Sequence, residues 1–166
     1  MIVLVLGGTR SGKSDVAERI ASEFGEPVTY VATAAPREDD EDFRKRLDAH
    51  RARRPKEWTT IEAPHDLSSI VGALEGTVRV NSLGAWIANT DGRDVDAASL
   101  CHALRGRRGA TVVVSEEVGL SVHPATEVGR RFVDILGECN RALSAIADRA
   151  VLVVAGRQLE LGAPDA

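Results

Sequence analysis

Gly7-Gly8-Thr9-Arg10-Ser11-Gly12-Lys13-Ser14 has the spacing G-x-x-x-x-G-K-[ST] of a phosphate-binding P-loop. The apolar run Ile2–Leu6 before it reads as a buried strand, and Asp15 to Phe24 after it reads as a helix. Strand, loop, Lys-Ser pair and helix coincide, which is the setting in which the motif binds phosphate rather than merely turning the chain. Backbone N–H groups of such a loop converge on phosphate oxygens, and the helix N-terminus adds positive potential. Gly7, Gly8, Thr9, Arg10, Ser11, Gly12, Lys13 and Ser14 are therefore candidate nucleotide-binding residues. Lys13, reaching the β- and γ-phosphates, is also a candidate catalytic residue. The Ser14 hydroxyl is the candidate ligand of Mg²⁺. Arg10 has two uses open to it, a phosphate or a neighbouring carboxylate.

Working outward, apolar β-branched runs recur at Val28–Ala32, Gly76–Val80, Ala110–Val114 and Ala150–Ala155. Continuous apolar runs suit strands covered on both faces, hence a mostly parallel sheet. Thr126 to Arg149 carries apolar residues at helical spacing, with Gly137 a local weak point. The expected architecture is an α/β, P-loop NTPase-like fold: a mostly parallel central sheet flanked by helices, one domain spanning residues 1–166. Gly162–Ala166 reads as a frayed tail.

Net charge is −4 and aromatic residues make up 4% of the chain, which argues against nucleic acid as a partner. The two cysteines, Cys101 and Cys139, have no metal-ligand spacing and read as reduced thiols. The N-terminal apolar run is too short for a membrane span or a secretory signal, so the expected location is cytoplasmic.

Asp39 to Arg54 opens acidic and ends basic, which complements a helix dipole, and Pro55 ends it. On such a helix Arg46, His50 and one of Arg53 or Arg54 share a face. Flanking guanidinium groups favour neutral imidazole, a nucleophile, and arginines can hold the phosphate it attacks. With Phe43 and Leu47 on the preceding turns, His50 can equally cap an apolar stripe. Arg51, Arg53 and Arg54 likewise read either as phosphate ligands or as solvated surface.

The chain resembles the bifunctional adenosylcobinamide kinase / adenosylcobinamide-phosphate guanylyltransferase family. The resemblance runs through Gly7–Ser14; Tyr30-Val31-Ala32-Thr33-Ala34; His50–Trp58 with Glu62 following; Glu116-Glu117-Val118-Gly119-Leu120-Ser121-Val122-His123-Pro124; Gly129–Asp134 with Gly137–Asn140; and the closing Ala155–Leu161. These blocks cover the chain end to end and in order. The resemblance implies phosphorylation of adenosylcobinamide with ATP or GTP, then transfer of GMP from GTP to adenosylcobinamide phosphate. It implies Mg²⁺ as cofactor, a GMP–histidine intermediate on His50, and a homotrimer with sites near subunit interfaces. It also implies nucleotide contacts at Ala32, Thr33, Ala34, Arg51, Arg53, Arg54, Glu62 and Asn81, and a small antiparallel edge at the C-terminus. Glu62 keeps a second reading as an ordinary strand-end carboxylate.

Three departures stand out. Asn81 occupies a place where the family usually has an acid assisting Mg²⁺, and losing a charge beside a divalent ion costs on the order of a few kcal/mol. Glu116 stands where the family usually has Asn and Ser121 where it usually has Gly, so that Glu116 or Glu117 could supply the missing charge. The segment Ile87–Asp94 is short, which reduces any substrate cap. The alternatives are a guanylyltransferase with impaired kinase activity, a P-loop kinase of another small metabolite, and a nucleotide-binding protein without turnover.

Overall fold

The computed structural model describes residues 1–25, 27–35, 55–90 and 95–163. The basic segment expected as a helix up to Arg54, with His50, Arg51 and Arg53, lies outside them, as do residues 91–94 and the last three residues of the tail. The described elements run β1 (Ile2–Gly7), α1 (Lys13–Glu23), β2 (Val28–Ala32), β3 (Thr59–Glu62), α2 (Leu67–Ala73), β4 (Thr77–Asn81), α3 (Leu83–Ala88), α4 (Ala97–Gly106), β5 (Thr111–Glu116), α5 (Glu127–Ser144), β6 (Arg149–Val154) and β7 (Arg157–Leu161). The strands form one seven-stranded sheet in the order β3-β2-β4-β5-β1-β6-β7. Every neighbouring pair is parallel except β6 and β7, which are antiparallel.

The continuous apolar runs are explained by burial on both sheet faces. In β1, Ile2, Leu4 and Leu6 point into a cluster with Val78, Val80, Leu83, Trp86, Leu100, Leu136 and Leu143. The alternate residues Val3 and Val5 point into a second cluster with Val112, Val114, Val151, Val153 and the α1 residues Val16, Ala17 and Ile20. Each buried aliphatic side chain contributes roughly 1.5–3 kcal/mol of transfer free energy, so a polar residue on either face of β1 would be destabilising. The period of two thus places helices on both sides of the sheet, α1 on one and α2 to α5 on the other.

The structure shifts several boundaries. α1 starts at Lys13, immediately after the loop glycine, rather than at Asp15. The helix expected to reach Arg149 ends at Ser144; Arg149 instead opens β6, where its guanidinium grips the Glu160 carboxylate on β7. The short β3, with one partly buried residue in Thr-Thr-Ile-Glu, gives no period to read. The brief helices α2 and α3 were equally silent in the hydrophobic pattern, whereas α4 buries Leu100 and Leu104 at an i, i+4 spacing. Two have identifiable starts: Ser82 Oγ accepts from Ala85 N–H at α3, and Asp96 Oδ1 accepts from Ser99 N–H at α4. Among the described residues no helix is long and apolar enough to cross a membrane.

Candidate active site

The loop between β1 and α1 sits at the C-terminal edge of the parallel strands, where crevices for ligands form in open α/β sheets. Gly12 caps α1 with φ 91°, a left-handed conformation that disfavours any other side chain. Arg10 also has positive φ, at 57°. The turn between β6 and β7 braces the loop: Gly156 N–H donates to Ser11 O at 2.7 Å. Ser11 Oγ accepts from Lys13 N–H at 3.3 Å, and Lys13 Nζ donates to Gly8 O at 3.3 Å. Lys13 is thus folded back over its own loop.

A second contact is with β5. Lys13 Nζ lies 3.8 Å from Glu116 Oε1. The register explains why: β5 is hydrogen-bonded to β1, with Gly7 opposite Glu116, so the last residues of both strands share one edge. Glu116 is tightly held. Ser82 Oγ donates to its Oε1 at 2.9 Å, and Gly84 N–H donates to its Oε2 at 3.0 Å. Asn140 of α5 fixes the backbone beneath it, donating to Glu116 O at 3.0 Å while accepting from Ser115 Oγ at 2.6 Å. Glu117 points elsewhere, its Oε1 accepting from Gly119 N–H at 2.7 Å within its own loop.

Asn81 ends β4, one strand beyond β5. Its Oδ1 accepts from Arg79 Nη2 at 3.4 Å, and the same nitrogen donates to Ser14 O at 3.1 Å. Arg79 is only 2% exposed, and its guanidinium lies 4.9 Å from the centre of the Tyr30 ring. A cation is therefore buried under the first turn of α1, between Ser14 and Asn81. Thr33 is fully buried; its hydroxyl donates to Ser82 O at 2.7 Å, and its N–H donates to Asn81 O at 3.2 Å. Thr33 therefore ties the end of β2 to that of β4. Ala32 ends β2, with Ala34 just beyond it. Glu62 ends β3 at the sheet margin, opposite Ala32 and four strand spacings from β1, about 19 Å across the sheet.

The structure thus gathers the P-loop, Lys13, Ser14, Asn81 and Glu116 at one edge, and sets Glu62 on the far side of it. Arg79, Ser82, Gly84 and Asn89 were not singled out as site residues from sequence. Asn89 Nδ2 clamps Thr33 O at 2.7 Å and Pro64 O at 2.8 Å, joining the ends of β2 and β3. An arginine within Val78-Arg79-Val80 was the one legible signal, a charge in the middle of an apolar strand.

A P-loop at this edge fits many phosphoryl-transfer proteins, and comparison with known proteins narrows the choice. A family model described as cobinamide kinase / cobinamide phosphate guanyltransferase matches residues 3–161. The chain belongs to that family. It is 36% identical over 167 residues to the bifunctional adenosylcobalamin biosynthesis protein CobP of Pseudomonas aeruginosa, covering 95% of each chain. It is 32% identical over 178 residues to the bifunctional adenosylcobalamin biosynthesis protein CobU of Salmonella typhimurium, covering 94% of this chain and 97% of that one. The fold is also shared with a more distant protein. An ATPase from the type III secretion system of pathogenic bacteria superposes with a TM-score of 0.57 at 10% identity over 91% of this chain, which spans half of that protein; this likeness concerns fold alone. The α/β, P-loop reading and the antiparallel C-terminal edge therefore stand.

Proposed function

We propose that this protein performs both reactions in the family description. It phosphorylates adenosylcobinamide with ATP or GTP, then transfers GMP from GTP to adenosylcobinamide phosphate, giving adenosylcobinamide-GDP and pyrophosphate. The observation that carries the reading is Lys13 at the start of α1, set over a P-loop braced by Gly156, in a chain that matches the family over residues 3–161.

In the first reaction the aminopropanol hydroxyl releases its proton to solvent as its oxygen bonds to the γ-phosphorus. The bond to the β–γ bridging oxygen breaks, and the nucleoside diphosphate leaves. In the second, an imidazole nitrogen of His50 bonds to the α-phosphorus as pyrophosphate departs. A phosphate oxygen of adenosylcobinamide phosphate then takes the GMP, and the P–N bond breaks to restore His50. Splitting one displacement into two in this way is ordinary nucleophilic catalysis. Lys13 and the loop N–H groups neutralise the departing phosphates in both steps. Arg51, Arg53, Arg54 and Glu62 supply further nucleotide contacts.

Mg²⁺, when bound, would neutralise phosphate charge. The donor set suits it: the Ser14 hydroxyl and a carboxylate are hard oxygen ligands. When bound, the ion would be held by these oxygens together with nucleotide phosphates and water. The proposal extends to one domain over residues 1–166, a cytoplasmic location and a homotrimer.

Two assays test this. Adenosylcobinamide and adenosylcobinamide phosphate are supplied separately, each with GTP, and the products are separated. Product from both supports the full reading; product from the phosphate alone identifies a guanylyltransferase with an impaired kinase step. GTP labelled at the α-phosphate should leave acid-labile, base-stable label on the parent and none on His50→Ala. Absence of both products and of label sinks the proposal.

A further inference from the structure

We infer that Glu116 supplies the negative charge of the divalent-cation side of the phosphate site, the task that strand end β4 leaves to Asn81. The inference rests on the triphosphate-binding part of the reading above and not on its corrinoid part.

Four observations converge on Glu116. Among the described residues it is the carboxylate paired with the P-loop lysine, 3.8 Å from Lys13 Nζ. It ends the strand next to β1, level with Gly7, so it faces the loop across a single strand spacing. Its carboxylate is held by Ser82 Oγ and Gly84 N–H rather than left to a free rotamer, and Asn140 Nδ2 holds its backbone oxygen. Position 84 is glycine, and a Cβ there would lie 2.2 Å from Glu116 Oε2, so the carboxylate fills space that any side chain would take.

The other acids near this edge are placed differently. Glu117 caps its own turn, Asp15 is exposed on α1, and Glu62 lies at the opposite sheet margin. Asn81 is neutral, and its one acceptor oxygen faces the buried Arg79 guanidinium. A hard divalent cation bound with phosphates needs a fixed anionic oxygen near the P-loop serine. Two donors, Ser82 Oγ and Gly84 N–H, bond to the Glu116 carboxylate, which offers about four lone-pair directions and is 28% exposed, so acceptor capacity remains for a cation or its water. With nucleotide present, Lys13 turns to phosphate, and the charge it balanced becomes available to the cation.

The test uses the α,β-methylene analogue of GTP without a corrinoid acceptor, so that neither transfer proceeds. Calorimetric titration in EDTA and in Mg²⁺ gives the gain in affinity due to the metal. The parent should bind about tenfold or more tighter with Mg²⁺. Glu116→Gln should reduce that gain to within about threefold while leaving affinity in EDTA equal or higher, because Lys13 is released. Mn²⁺ bound in the ternary complex, read by electron paramagnetic resonance, should fall in parallel. Gly84→Ala, which dislodges the carboxylate without removing it, should also lower the gain and serves if Glu116→Gln folds poorly by thermal melting. An unchanged gain in both variants overturns the inference and leaves the triphosphate reading intact. A parent that binds no nucleotide under either condition overturns both.

Discussion

Gly84→Ala tests the packing of the site directly, because its effect should change sign with its neighbour. An ideal Cβ at this position lies 2.2 Å from Glu116 Oε2 and 2.9 Å from its Cδ. The backbone there is helical, so alanine itself is unstrained, and the carboxylate must move. It then loses the bonds from Gly84 N–H and Ser82 Oγ. Hydrogen bonds to a charged group are worth about 1.5–3 kcal/mol each. The Glu116 side chain is already 28% exposed, so water recovers part of the loss and about 2–3 kcal/mol remains. Alanine regains about 1 kcal/mol over glycine in a helix. The net destabilisation should be about 1–2 kcal/mol, or a fall in Tm of roughly 3–6 °C.

With Glu116→Ala the space is empty, and Gly84→Ala should instead stabilise by up to about 1 kcal/mol. Urea denaturation of the parent, both single variants and the double variant closes the cycle, with an expected coupling of about 2–3 kcal/mol. A coupling below about 0.5 kcal/mol would mean that Gly84 and Glu116 do not share this space, and would refute the geometry on which the site is built.

The remaining predictions concern other parts of the frame. Arg107, half-buried, donates to Ala110 O at 2.8 Å, Gly76 O at 2.9 Å and Leu74 O at 3.2 Å, stapling the turns before β4 and β5; Arg107→Met should destabilise by about 2–4 kcal/mol in urea melts, and a loss under about 1 would remove that role. Gly12→Ala forces a Cβ into a φ of 91° and to 3.2 Å from Gly156 Cα, so nucleotide binding by calorimetry should drop well over tenfold, with stability lower by about 1–3 kcal/mol; near-parental affinity would contradict the loop geometry. Burial pushes the Cys139 thiol up to about 11, with smaller contributions from Cys101 and Glu138. The folded state therefore holds this proton more firmly than the unfolded state. Its contribution is complete below the ordinary thiol range and is lost as pH rises through about 11, so Cys139→Ala should flatten the alkaline decline in stability measured from pH 9 upward, and an unchanged slope would count against it.

How much was legible depended on whether a feature is local in the chain. The P-loop was readable because strand, glycines, lysine and helix follow one another within a single stretch, and β1 because burial on both faces demands an unbroken apolar run. The strand at β3 and the helices α2 and α3 were not, since elements this short carry too few buried positions to show a period. The sequence raised Glu116 and Glu117 as equal candidates for a missing charge beside Asn81. Only the structure separates them: alternation along the chain sends adjacent residues to different surroundings, and it is Glu116 that meets Ser82, Gly84 and Lys13.

By itself, then, the sequence determined that this chain builds a triphosphate loop on a buried parallel sheet, because both follow from contiguous spacing and hydrophobic period. The tertiary structure decided which charges surround that loop. Strand order sets β5 between β1 and β4, bringing a carboxylate to Lys13 and leaving Asn81 facing a buried arginine, and no spacing along the chain encodes which strands become neighbours.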